Sequence, residues 1–281
     1  MADTALVLGA GGITGSAWET GILHGLAKAG LDLSTADVII GSSAGAVVGA
    51  QLASGLISLP DLYELQLTDA GGERGGKLGA VTFLRYARAV LSSRTPEAYG
   101  RRLGRLAREA RIGPTPDERR AAVAGRLLSP RWPDRPLRVT AVDALSGELH
   151  TFDKDSGVDL ADAVTASCAV PAVWPVAAFG GRSWIDGGVH SPANAHLAAG
   201  YERVVVIAPT ASGSKVIASP RAQAEALAAQ GARTVVITPD AAAKKAFGRN
   251  PLDPARRAAA ARAGLAQSAA HTEAAAAVVN G

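Results

Sequence analysis

Four short runs of the chain are apolar at nearly every position: residues 5–8 (ALVL), 38–40 (VII), 204–208 (VVVIA) and 234–238 (TVVIT). Such runs are too short for helices and do not alternate, so they read as strands buried on both faces, as in a parallel sheet. Between them the period lengthens. Trp18, Ile22, Leu23 and Leu26 recur at helical spacing, which predicts a helix over 16–29 that stops at Gly30. Helices are also predicted over 46–53, 60–67, 81–91, 96–110, 115–128, 159–168 and 222–229. A long alanine-rich helix is expected over 254–279, packed on the outside of the sheet. The stretches 137–143 and 148–152 flank Ser146-Gly147 and read as a hairpin. Residues 182–186 read as a strand. The run Val170-Pro171-Ala172-Val173-Trp174-Pro175 reads as rigid and extended. Strands and helices alternating in this way predict an α/β layered fold with a mostly parallel sheet. A glycine-rich segment at 68–80 is expected to be mobile.

Two glycine-rich links stand out in this frame. The first, Gly9-Ala10-Gly11-Gly12-Ile13-Thr14-Gly15, joins the first strand to the first helix. It fails the dinucleotide fingerprint, because Gly9 and Gly11 would require glycine where Thr14 stands. The strand that follows also ends in a serine turn and not in an acidic residue. Its remaining readings are a plain βα turn or a set of backbone N–H groups that hold a developing negative charge. The second link, Gly41-Ser42-Ser43-Ala44-Gly45, lies between a strand at 37–41 and the helix at 46–53. A strand, G-x-S-x-G and a helix make a nucleophile elbow. The small residues are needed because the backbones on either side of the serine nearly touch. The bland alternative is a serine capping a helix.

An activated serine needs a base. The candidates are His24, His150, His190, His196, His271 or a carboxylate. Asp186 ends a predicted strand just before Gly187 and Gly188, which places it at the carboxyl edge of the sheet; its competing reading is an Asx turn. A Ser-His-Asp arrangement on His190 or His271 is disfavoured, because only one strand precedes the elbow. Cys168 reads as packing.

Composition adds bounds. The chain has 281 residues, 48% of them hydrophobic, and a net charge of +4, too small to indicate nucleic acid. One cysteine precludes an intrachain disulfide and fits a reducing compartment. No signal peptide and no apolar run of spanning length is visible, so the expectation is a cytoplasmic protein, with peripheral membrane contact open. Arginines crowd the helices between 81 and 131. They read either as solvated faces or as a basic cap over the cleft that meets anionic lipid headgroups.

Three segments together resemble the patatin-like phospholipase family: the glycine loop at 10–15, GSSAG at 41–45, and ASCAVPAVWPV (166–176) followed by DGGVHSPAN (186–194). The resemblance spans about residues 5–210. It implies a three-layer α/β/α fold in a single domain over 1–281, with a helical cap inserted at about 60–135. It implies a serine hydrolase of lipid acyl esters that works through a Ser43–Asp186 dyad and an acyl-enzyme, without histidine, metal or organic cofactor. Gly11, Gly12 and Ala44 would form the oxyanion hole, with Gly15, Gly41, Gly45, Gly187 and Gly188 as motif support. Three departures are visible: Ala10 in place of a glycine, Thr14 in place of a basic residue, and one extra residue between Gly15 and Gly21. A lipid-binding or regulatory protein without turnover, or a nucleotide-binding protein using the first glycine loop, are the rival readings.

Overall fold

A computed structural model describes residues 3–68, 75–77 and 79–281. In chain order the described elements are β1 Thr4–Leu8, α1 Gly12–Lys28, β2 Val38–Ser42, α2 Ala44–Ala53, α3 Leu59–Leu67, α4 Ala80–Leu91, α5 Pro96–Glu109, α6 Pro116–Ala124, β3 Leu137–Asp143, β4 Leu149–Phe152, α7 Leu160–Ser167, β5 Ala177–Phe179, β6 Arg182–Asp186, β7 Arg203–Ile207, α8 Pro220–Ala228, β8 Arg233–Ile237, α9 Ala241–Phe247, α10 Arg257–Ser268 and α11 Thr272–Asn280.

The strands form one sheet in the order β5-β6-β3-β2-β1-β7-β8, with β4 also paired to β3. The five strands from β3 to β8 along this path are parallel, and β4, β5 and β6 join antiparallel at one edge. Strand alternation sorts the core into two layers. Leu6, Leu8, Ile39, Val205 and Ile207 face a large cluster with α1, α2, α7 and α10. Ala5, Val7, Val38, Ile40, Val204 and Val206 face the other side, towards α8 and the segment around Ala195. The result is a three-layer α/β/α fold with a mostly parallel sheet. Among the described residues no helix is long and apolar enough to cross a membrane.

The structure corrects several expectations. The segment 170–175 is not extended: the Val173 and Trp174 amides both bond the Val170 carbonyl, and Ala172 has φ 59°. Two prolines forbid regular structure but are compatible with such a turn. The expected helix over 254–279 is broken at Ala269–His271 into α10 and α11. Alanine propensity does not dictate where a helix bends; packing does. α11 packs on β7 and β8, whereas α10 lies chiefly on α1. Glycines make that helix pair close. A Cβ on Gly264 would strike the Trp18 carbonyl, and one on Gly21 would strike that of Ala261. α1 begins at Gly12, four residues before the expected start, because its first turn is built from the glycine loop. β5 and α9 were not expected. The segment 68–80 falls in large part outside the described residues.

Candidate active site

β2 ends at Ser42, and α2 begins at Ala44, so Ser43 alone makes the turn. It does so at φ 53°, ψ −110°, a region that costs a non-glycine residue roughly 1–3 kcal/mol. The surroundings hold it there. The Ser43 N–H donates to Ser167 Oγ at 2.8 Å, and the Cys168 thiol donates to the Ser43 carbonyl at 3.4 Å. The end of α7 therefore clamps the turn. Gly45 approaches the end of β1 so closely that a Cβ would strike the Leu8 carbonyl, and a Cβ on Gly41 would lie 2.6 Å from Ala46 Cα. The sequence spacing G-x-S-x-G has this steric origin.

Asp186 ends β6 and is buried. Its Oδ1 accepts the Gly188 N–H at 2.8 Å. Its Oδ2 makes no hydrogen bond of ordinary geometry. Burial pushes the Asp186 carboxyl up to about 6; the neighbouring Ser43 hydroxyl, the Gly188 amide and the Arg119 charge all work against that rise. The serine hydroxyl and the Asp186 carboxyl thus lie close enough for the hydroxyl to stabilise the carboxylate.

The glycine loop supplies the third part. The amides of Gly11, Gly12 and Ala44 donate to no protein acceptor among the described residues. Gly12 has φ 65°, and a Cβ there would lie 2.8 Å from the Pro251 carbonyl. The loop is pinned from outside: Ala10 N–H donates to the Pro192 carbonyl, and the Thr14 N–H and hydroxyl both donate to that of Pro251. Thr14 is therefore an anchor for the C-terminal segment. Ala10 Cβ packs against Gly188, beside the dyad candidate.

A cavity of about 630 Å³ opens above these groups. Ser43, Ala44 and Gly12 form part of its floor; Val47, Val170, Trp174 and Leu252 supply an apolar wall, and α6 supplies another. Arg119 of α6 lies over the Trp174 ring at 4.1 Å. Cys168 also lines it, with its thiol pushed up to about 11 by burial, which keeps it protonated at neutral pH.

None of the five histidines lines this cavity. His190 bonds Asn194 Oδ1 at 3.1 Å and faces His196. His24 stacks on Tyr63, His150 packs edge-on to Trp184, and His271 bonds Gln267. Sequence reasoning missed a buried polar network that joins the two halves of the site. Asn194 Nδ2 reaches Ser42 Oγ at 2.9 Å and the Gly187 carbonyl at 3.1 Å, and Ser42 Oγ meets Thr140 Oγ1 at 2.7 Å. Asn194 adopts a left-handed conformation (φ 55°), which asparagine tolerates better than most residues. The Asn at the end of DGGVHSPAN was the signal available. The Ser167 clamp and the Leu252 wall had none.

The sequence profile of the patatin-like phospholipases matches residues 6–199. The chain belongs to the patatin-like phospholipase family. Members of this family are in general lipid acyl hydrolases. Among solved structures, VipD from Legionella pneumophila is similar at 14% identity and a TM-score of 0.49, with 97% of this chain and 67% of VipD covered. The type III effector protein ExoU is similar at 18% identity and a TM-score of 0.46, with 97% and 53% covered. This chain thus spans about two thirds and about half of the lengths of these two proteins. No curated protein sequence matches it. Within the patatin-like fold the glycine loop and the elbow border one cavity through Gly12, Ser43 and Ala44, while Asp186 does not line it and lies behind, beside Ser43.

Proposed function

We propose that the chain hydrolyses acyl esters of lipids through a Ser43–Asp186 dyad. The observation that carries this reading is the pairing of a strained, clamped Ser43 with a buried Asp186 whose Oδ2 is left without another partner. Ser43 Oγ attacks the ester carbonyl while its proton passes to Asp186 Oδ2. The oxyanion is held by the N–H groups of Gly11, Gly12 and Ala44, which already lack protein acceptors. Collapse of the tetrahedral intermediate expels the alcohol, which takes the proton from Asp186. Water then attacks the acyl-enzyme, Asp186 accepts its proton, and collapse releases the acid and returns the proton to Ser43. The proton moves between Ser43, Asp186, the leaving alcohol and water, and the charge on the substrate oxygen is met by backbone N–H groups, so the scheme is complete without a metal or cofactor.

The apolar wall of Val47, Val170, Trp174 and Leu252 suits an acyl chain. Three arginines, Arg119, Arg126 and Arg257, against the single acid Glu118 give the cavity lining a net positive charge, which favours an ester that carries negative charge, of the phospholipid or lysophospholipid type. α6 forms one wall of the cavity, which supports the reading of the inserted helices as a cap. The protein is proposed to work in the cytoplasm at the surface of a membrane.

The test is labelling with a fluorophosphonate probe, read by intact mass, for wild type and Ser43→Ala. Wild type should gain one probe mass and Ser43→Ala none, and ester turnover should fall at least about a thousandfold in the variant. Equal labelling or turnover by a folded Ser43→Ala protein would overturn the mechanism.

A further inference from the structure

α4 is built the wrong way round for a helix that meets only water. A surface helix ordinarily turns its charged face outwards. Here Val81, Phe83, Leu84 and Leu91 are 65%, 72%, 69% and 74% exposed, and the last three are the most exposed large apolar side chains among the described residues. Phe83, Leu84, Ala87 and Leu91 fall on neighbouring positions of one outward face at helical spacing. Its inward face carries Ala89 and Tyr86.

The flanks of this face are cationic. From residue 79 to 111 the chain has eight arginines against Glu97 and Glu109 only. A groove of about 820 Å³ between α4 and α5 is lined by Arg85, Arg88, Arg102 and Arg105, with Glu109 as its one acid. Arg102 is committed to the Ser92 hydroxyl and carbonyl. Arg85, Arg88 and Arg105 form no ion pair among the described residues. Exposed aromatic and aliphatic groups beside unneutralised arginines are the chemistry of a helix that lies in an anionic lipid interface. The apolar groups bury in the acyl boundary while the guanidiniums meet lipid phosphates. Nucleic acid would satisfy the arginines but leave Phe83 and Leu84 in water.

The position of α4 links this surface to the cavity. Tyr86 donates its hydroxyl proton to the Pro171 carbonyl at 2.7 Å. Pro171 stands in the turn whose Val170 and Trp174 line the cavity. A bilayer on the outer face of α4 would lie about one helix diameter, roughly 10 Å, from that turn.

We infer that the outer face of α4, with the arginines of the α4–α5 groove, is the surface by which this protein docks on an anionic lipid bilayer. The inference rests on the lipid-ester reading for its purpose, but its test does not depend on turnover.

Binding is measured by co-sedimentation of the full chain with vesicles of phosphatidylcholine alone and of phosphatidylcholine mixed with phosphatidylglycerol. All variants are made in the Ser43→Ala background so that no lipid is consumed. The background protein should bind the mixed vesicles at least tenfold more tightly than the neutral ones, and rising salt should erase the difference. Phe83→Asp with Leu84→Asp should weaken binding to the mixed vesicles tenfold or more. Arg85→Gln, Arg88→Gln and Arg105→Gln together should remove the preference for anionic lipid, a loss of about tenfold or more on the mixed vesicles with binding to neutral ones unchanged. Both sets should melt at the parent temperature. Equal binding to the two vesicle types, or unchanged binding by the aspartate variant, would overturn the proposal. So would a background protein that sediments as a dimer which the aspartate variant dissociates without any change in vesicle binding, since the face would then be covered by a second copy. Vesicle docking without any wild-type turnover would refute the hydrolase reading and leave the docking surface standing.

Discussion

At the scale of single residues, two carboxyls are raised by burial, and only one of them belongs to the proposed chemistry. Asp186 is held up near 6 by burial. A carboxyl must be ionised to accept the Ser43 proton, so kcat/KM is expected to fall tenfold per pH unit below about 6 and to level off above it. The same shift acts on stability. Between the unfolded value near 4 and the folded value near 6, the unfolded chain releases this proton while the folded chain retains it, so stability falls as pH rises and then stays reduced. Asp186→Asn should therefore abolish turnover yet melt higher than wild type at pH 7, by up to about 3 kcal/mol. A lower melting point, with a collapsed site, would contradict this account. Glu19 is the second case. It is fully buried in α1, burial pushes its carboxyl well above the usual range, and neither oxygen has a hydrogen bond of ordinary geometry. It is not part of the proposed chemistry. Its contribution is complete at acid pH and declines as pH rises above the ordinary carboxylate value. Glu19→Gln should flatten that decline in a series of thermal melts from pH 4 to 9 without shifting the acid limb of activity.

At the scale of elements, the site depends on where three chain turns are fastened. Asn194 holds Ser42 at the end of β2 to the Gly187 carbonyl beyond β6, and so ties the turn of Ser43 to the turn of Asp186, the proposed nucleophile and base. Removing it leaves a buried hydroxyl and carbonyl short of a donor, at about 1–3 kcal/mol. Asn194→Ala is expected to lower kcat much more than it raises KM, with the acid limb of the pH profile displaced; loss of stability alone with unchanged kinetics would assign it a purely structural role. Gly188→Ala should be worse, because a Cβ there would lie 2.6 Å from that of Ala10. These fastenings explain what the sequence could reveal. The strand–elbow–helix order and the Asp-Gly-Gly turn are local, since each is fixed by sterics within a few residues, and they were legible. Asn194, Ser167 and Leu252 act across more than 100 residues or through a fold not yet formed, so no local pattern marked them. The break between α10 and α11 was hidden for the same reason: an alanine-rich run is equally helical on either side of it.

At the scale of the whole molecule, the family profile ends at residue 199, but the cooperative unit does not. β7 pairs with β1 along five registered positions, and β1 is the strand that delivers the glycine loop. β7 is therefore an interior strand, between β1 and β8, and not an edge. α10 packs against α1 through the glycine seam, and Trp18 Nε1 donates to Gln267 across it at 3.0 Å. The Pro251 carbonyl takes both Thr14 donors, and Leu252 walls the cavity. If these contacts belong to one core, a chain cut after residue 249 loses the cover of Trp18, Ile22 and Leu26, each fully buried in the intact protein. Exposing three such side chains removes several kcal/mol, at roughly 1.5–3 kcal/mol each, which is a large part of the stability of an ordinary domain. The truncated protein is expected to lack a cooperative thermal transition and to bind an apolar dye, and adding the 250–281 peptide in trans should restore neither turnover nor fluorophosphonate labelling in full. A truncated chain that melts cooperatively and labels at Ser43 like wild type would show that the C-terminal helices are an accessory layer. In that case the oxyanion loop would be held by β1 and Pro192 alone, and the two Thr14 bonds to Pro251 would have no part in catalysis.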